Sequence, residues 1–283
     1  MDDTATKETF QVELPAEPMP PRERVPRWVK ALVRNPVSIT GTLLVIFFIV
    51  IAILAPVLAP PPIPSLPYQI PRDGFEAEPK PPGPGEPLGT TQGQYDIYYG
   101  VIWGTRTAFK IGLIVTGITV LIGGTLGAVS GYLGGWVDDI LQRIVEVFLA
   151  FPFLLAALTL ATILGGKIQN GLITGMIALI AFGWPSYARL IRGDVLSVKE
   201  REYVLAAKAL GEPGWRILIR HVVPNAMYSL LVVASLDVGT YVLTFAALSF
   251  LGLGAGVGYA GPGDRDPHLC ADAYRQSRGA DVG

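Results

Sequence analysis

The run Ile111–Gly131, IGLIVTGITVLIGGTLGAVSG, carries no charged side chain. Its length matches the roughly 20 residues that a helix needs to cross a hydrocarbon core about 30 Å thick. Ile39–Leu58, Val147–Gly166 and Gly171–Ala188 are likewise uncharged, and Met227–Gly252 holds a single acid, Asp237. In lipid the backbone must satisfy its own polar groups, which a helix does for each run separately. The pattern predicts an all-α membrane protein, a polytopic helical bundle of five spans. Gly123, Gly127 and Gly131 fall on one helix face and permit a neighbouring helix to approach closely. Pro152 and Pro185 lie within apolar runs and predict kinks or breaks there.

The polar segments between the runs give the topology. Arg22, Arg24, Arg27, Lys30 and Arg34 precede the first run, with Glu23 the one acid among them. Residues 189–220 carry Arg189, Arg192, Lys199, Arg201, Lys208, Arg216 and Arg220 against Asp194, Glu200, Glu202 and Glu212. Residues 59–105 reverse the balance, with Arg72 and Lys80 against Asp73, Glu76, Glu78, Glu86 and Asp96. Basic loops stay in the cytoplasm. The N-terminus and the 189–224 loop are therefore expected inside, and the Pro-rich loop outside. Four spans separate the two basic segments, and an even number returns the chain to the same side.

The domain order follows: a cytoplasmic tail over 1–36, a first transmembrane helix over 37–58, and a Pro-rich extracytoplasmic loop over 59–106. A core over 107–252 contains the 189–224 loop, and an atypical tail occupies 253–283. The first run is an anchor rather than a cleaved signal: a long polar segment precedes it, and LAPVLAPPP puts prolines where small residues are needed for cleavage. Prolines in PPPIPSLP and EPKPPGPGEP exclude helix interiors and predict an extended, exposed segment over 59–87. Net charge is −1, so the whole-chain balance implies no nucleic-acid partner. Cys270 stands alone and excludes an intrachain disulfide. With His221 and His268 it makes no recognisable metal-ligand set.

The water-side segment Glu202–Asn225, EYVLAAKALGEPGWRILIRHVVPN, has helical spacing. The reading is a helix over Arg192–Leu210, a stop at Gly211, a second helix from Gly214 to His221 opened by Pro213, and a break at Pro224. On physical grounds this helix–turn–helix rests on the headgroups or docks in a cleft of a partner.

The residues Ala206, Ala207, Gly211 and Pro224 resemble the EAA loop of ABC importer permeases. Arg201-Glu202-Tyr203-Val204, Leu210-Gly211 and Arg220-His221-Val222-Val223-Pro224-Asn225 are similar to that loop in the dipeptide/oligopeptide (peptide/nickel) branch. Leu205 and His221 depart from the general pattern, at its Glu and Ile positions. GYLGGWVDDILQRIVEVFLAFP over 131–152 and LSFLGLG over 248–254 look like further segments of the family. LGTTQGQYD over 88–96 is similar to an external segment, with Thr91 in place of an Asp and Gln94-Tyr95 in place of Gly-Arg.

The resemblance implies the transmembrane domain of a type I ABC importer, in a prokaryotic cytoplasmic (inner) membrane. It implies a permease subunit of an ATP-driven importer for di- or oligopeptides. The partners would be a second homologous permease subunit, cytoplasmic ABC ATPases and an extracytoplasmic solute-binding protein, with ATP and Mg held by the ATPases. No GxxxxGK[ST] loop occurs in the sequence, so no cofactor and no enzymatic activity are expected in this chain. Glu202, Tyr203, Ala206, Ala207, Gly211, Arg220 and Pro224 are the expected coupling residues. The alternatives are a permease of the same branch for nickel or another small solute, and an ATP-independent carrier or channel.

Two features stand apart. Asp237 is a carboxylate within a span, where such groups face protein or water. It is read either as a pathway group for a peptide amine or as a structural acceptor for Ser235, Thr240 or another subunit. The family continues into a sixth helix, whereas residues 261–283, GPGDRDPHLCADAYRQSRGADVG, contain no apolar run long enough to span. A sixth helix is therefore expected to be missing, through truncation, a frameshift or natural variation.

Overall fold

The computed structural model describes residues 34–256, apart from 73, 75–77, 169 and 255. The cytoplasmic tail expected over 1–36 lies outside these up to residue 33, as does most of the atypical tail expected over 253–283, where the sixth helix was expected to be missing. Eight α-helices are described: α1 (Pro36–Leu58), α2 (Ile97–Leu133), α3 (Gly135–Leu149), α4 (Phe153–Gly165), α5 (Gly171–Val198), α6 (Glu202–Ala209), α7 (Gly214–Ile217) and α8 (Val223–Phe250). A π-helical turn, Leu218–Val222, joins α7 to α8. Among the described residues there are isolated β-bridges but no strand.

Four helical stretches are long and apolar enough to cross a bilayer: α1, α2, α5 and Gly214–Phe250. The third expected span, Val147–Gly166, is not one straight helix. α3 and α4 meet at an angle of 84° and make a span only as a bent pair. Pro152 stands just before α4 with ψ at 121°, outside the helical region, which ends the α3 hydrogen-bond ladder at Ala150.

The chain divides into two units within α1, after Phe47. In the first, the described part is the start of α1, where Thr40 and Thr42 donate to the carbonyls of Pro36 and Ser38. In the second, the core is built around α2 and α5. A β-carbon on Gly123 would collide with the Trp184 carbonyl, and one on Gly127 with the Ala188 carbonyl. One on Gly131 would lie 3.0 Å from the Arg192 carbonyl. Both rows advance by one turn together, so α2 and α5 run parallel, backbone against backbone. α8 runs antiparallel to α5: Gly175 lies against Phe245, Gly183 against Tyr241, and Asp194 bonds to Ser229. α3 is also antiparallel to α5, pairing Asp138 with Arg192 and Phe148 with Phe182.

Parallel α2 and α5 require an odd number of crossings between them, and the bent α3–α4 pair is the only described element there. Topology and apolar length thus agree on a crossing that is bent rather than straight. The parallel arrangement also agrees with the even span count that charge placed between the two basic segments.

The Pro-rich segment forms no helix or sheet, as its prolines demand, but it is not simply extended and exposed. Residues 66–71 are half-buried. Tyr99 donates to the Pro67 carbonyl at 2.6 Å, and Trp103 Nε1 to the Ala59 carbonyl at 2.9 Å. Ala55, Ala59, Tyr99, Ile102 and Trp103 form a small core of their own. The aromatics of the first α2 turns decide this packing, and proline counting does not see them. α2 itself starts at Ile97, where Asp96 accepts from the Tyr99 backbone N–H at 3.2 Å, so its first turns lie within the loop expected over 59–106.

Candidate functional site

The segment after α5 is held as a compact hairpin. The helix expected over Arg192–Leu210 is interrupted: α5 ends at Val198, and α6 begins at Glu202. Lys199 and Arg201 bond back to the Val195 and Val198 carbonyls, turning the chain. Glu202 sits in the first turn of α6, where a carboxylate complements the positive end of the helix dipole. Gly211 ends α6 with φ at +77°. Its N–H donates to the Lys208 carbonyl at 3.0 Å, and that of Glu212 to the Ala207 carbonyl at 3.2 Å. These are the two bonds of a Schellman cap, which needs a left-handed residue at that point.

α6 presents two faces. Val204 and Ala207 are buried with Ile217 and Val222 in the main core. Tyr203, Ala206 and Leu210 are exposed on the other side, as are Glu202 and Gly211. Among the expected coupling residues, Glu202, Tyr203, Ala206 and Gly211 are thus available to a partner. Ala207 is turned inward, where its small side chain lets α6 lie close to the core. Arg220 and Pro224 are also exposed. Pro224 does not break the helix as expected. It occupies the first turn of α8, where its missing N–H costs little, and the π turn before it takes up the misfit.

Three contacts hold this hairpin together, none of them apparent from spacing. His221 Nε2 lies 3.1 Å from Glu212 Oε2. Lys208 Nζ stands 6.0 Å over the Tyr132 ring. A β-carbon on Gly214 would sit 3.3 Å from the Tyr132 hydroxyl, so that α2 residue touches both arms of the hairpin.

Beside the hairpin lies a polar cluster that sequence reading missed, buried at Ser130 and Asp138 and half-buried at Gln142, Arg192 and Lys199. Arg192 donates from Nε and Nη2 to the two Asp138 oxygens, at 2.6 Å each, a bidentate pair. Ser130 also bonds to Asp138, and Gln142 donates to Ser130 at 3.2 Å. Lys199 Nζ donates to the Gly131 carbonyl at 2.9 Å. The available signal was slight: Arg192 stands four residues past the run 171–188, and Asp138 lies in the short polar stretch between the runs 111–131 and 147–166.

Asp237 lies at the seam of α8 and α5, where Tyr187 donates to Oδ2 at 2.6 Å. Ser235 and Thr240 do not serve it. They bond to the Val232 and Leu236 carbonyls of their own helix. Gly123, Gly127 and Gly131 are placed as helix-packing residues, as described above. Among the described residues no group of His, Cys, Asp or Glu could hold a metal ion.

Residues 123–263 match the family described as binding-protein-dependent transport system inner membrane component, and residues 27–79 match the N-terminal transmembrane domain of oligopeptide transport permease C. The dipeptide transport system permease protein of Alkalihalophilus pseudofirmus is 36% identical over 226 residues, which cover 80% of this chain and 71% of that protein. The chain belongs to this family of transport permeases. The permease is also 36% identical over 230 residues to the oligopeptide transport system permease protein of Bacillus subtilis, covering 80% of this chain and 72% of the relative. It is 34% identical over 228 residues to the glutathione transport system permease protein of Pectobacterium atrosepticum, with coverage of 80% and 72%. Family and apolar helices together make the permease a multi-pass protein of the inner membrane, and a transporter component rather than an enzyme.

Proposed function

We propose that the permease forms half of the translocation pathway of an ATP-driven importer of di- or oligopeptides, and that α6 with its Gly211 cap docks on a cytoplasmic ABC ATPase. The carrying observation is the two-faced α6. It is anchored by Val204 and Ala207 and offers Tyr203, Ala206 and Leu210 outward, in a segment rich in Arg and Lys. An amphipathic helix resting on headgroups would bury its apolar row in lipid. Here the apolar row is short, and it ends at a rigid cap that suits a protein cleft better than a fluid surface.

The remaining components are a second permease subunit, a pair of ATPases carrying ATP and Mg, and an extracytoplasmic binding protein. ATP binding draws the ATPases together, the docked hairpin follows, and the helices joined to it tilt. Basic residues on 22–34 and 189–220 support a cytoplasmic N-terminus and hairpin. The names of the relatives, which speak of dipeptides, oligopeptides and glutathione, support a peptide solute. Asp237 we assign to holding the α5–α8 seam.

The test is purification of the tagged permease from its own membrane with whatever ATPase accompanies it. Uptake of a labelled dipeptide into vesicles holding that assembly follows. ATP-dependent uptake is expected. Uptake that proceeds without ATP would make the chain part of a passive carrier, and ATP-dependent uptake of nickel in place of peptide would move it to the other solute class.

A further inference from the structure

The polar cluster beside the hairpin ties together four pieces of chain through side-chain bonds. Ser130 and Gly131 end α2, Asp138 and Gln142 open α3, Arg192 belongs to the last turns of α5, and Lys199 begins the turn into α6. Arg192, Asp138, Ser130 and Gln142 form one hydrogen-bonded set, and Lys199 donates to the carbonyl of Gly131, the neighbour of Ser130 in the chain. Apolar contacts are non-directional and by themselves fix orientation weakly. A bidentate guanidinium–carboxylate pair fixes both distance and orientation, and Asp138 is only 9% exposed. Losing one partner of such a pair strands the other charge.

We propose that this cluster is a rigid joint that passes movement of the hairpin to α2 and α3, making Asp138, Arg192 and Lys199 positioning residues for transport. The proposal rests on the docking of α6 described above. When the ATPases pull on α6, the turn at Lys199 moves first. With the joint intact, the ends of α2 and α3 must move with it, and α3 leads into the bend before α4. With the joint broken, the displacement is absorbed in the turn at 199–201.

The experiment compares the whole importer, reconstituted with its binding protein, for wild type, Asp138→Asn and Lys199→Met. ATP hydrolysis and labelled peptide uptake are read from the same vesicles, and assembly is read by co-purification. Lys199→Met leaves the Asp138–Arg192 pair intact, so it probes the joint without stranding a charge. The expected result is normal assembly and retained hydrolysis, with uptake per ATP reduced by about threefold to thirtyfold in both variants, the range for residues that carry coupling between sites. The exchange Asp138→Arg with Arg192→Asp should recover part of the loss. Unchanged uptake per ATP in Lys199→Met, or a fall in uptake that merely follows a fall in hydrolysis, would overturn the proposal. An Asp138→Asn assembly that falls apart on purification would also overturn it, by making the pair a strut. A wild-type permease that brings down no ATPase would sink the docking of α6 instead, before any variant is made.

Discussion

A β-carbon on Gly211 would meet no atom within 4 Å, yet φ there is +77°. The constraint is therefore on the backbone and not on space. A left-handed residue with a β-carbon costs about 1–2 kcal/mol, and Asn tolerates the conformation best. Gly211→Val should thus insert normally but weaken ATPase association by roughly fivefold to thirtyfold, with Gly211→Asn close to wild type. Binding of the purified ATPase to the solubilised permease reads this directly, and equal binding by Val and Gly would remove Gly211 from the docking site. Tyr187 makes a different prediction. Its hydroxyl bonds to Asp237, and a hydrogen bond to a charged group contributes about 1.5–3 kcal/mol. Tyr187→Phe should lower the unfolding midpoint in detergent. Asp237→Asn, which keeps an acceptor oxygen, should retain both most of the stability and peptide uptake. Loss of uptake in a stable Asp237→Asn permease would return Asp237 to the solute pathway. At this scale the sequence shows which residues are unusual but not their partners. Asp237 stands out in an apolar run, whereas Tyr187, fifty positions away, does not.

The helices were legible where apolar length alone decides, and misread where a local backbone feature intervenes. α1, α2, α5 and α8 follow from apolar runs, uncharged but for Asp237 in α8. The bend between α3 and α4 leaves no mark in hydropathy, because Phe151-Pro152 is itself apolar, and it is Pro152 alone that predicts the break found there. The π turn at Leu218–Val222 has no composition of its own either, so Pro224 looked like a stop. The glycine face of α2 was visible as spacing. That it meets the 184, 188 and 192 carbonyls of a parallel helix was not, since spacing names a face and not its partner. A graded series checks the packing. Gly117 faces open space, and Gly127 faces the Ala188 carbonyl and Ile191. Gly117→Ala should leave the melting midpoint in detergent unchanged. Gly127→Val forces α2 and α5 apart and should cost about 1–3 kcal/mol or more as overpacking. Equal midpoints for the two variants would contradict the close parallel pair.

Across the whole molecule, sidedness is the property on which the functional reading depends. Ser65 and Leu210 are both exposed, one in the Pro-rich segment and the other at the α6 cap. In a background with Cys270 replaced, a membrane-impermeant thiol reagent added to intact cells should label Ser65→Cys but not Leu210→Cys, and broken cells should label both. The reverse pattern would put the hairpin out of reach of any ATPase. The bend at Pro152 has a consequence for how the protein is made. α4 has 13 residues. A helix of that length reaches about 20 Å, short of the roughly 30 Å of hydrocarbon. Alone in the bilayer it would leave polar chain ends in oil. Its buried residues, Ala157 and Ala161, lie in the same core as α5, which leaves the ribosome later. Stable insertion of α4 is therefore expected only once α5 has been made: nascent chains truncated before residue 198 should be degraded faster than chains that include α5, and equal lifetimes would contradict this.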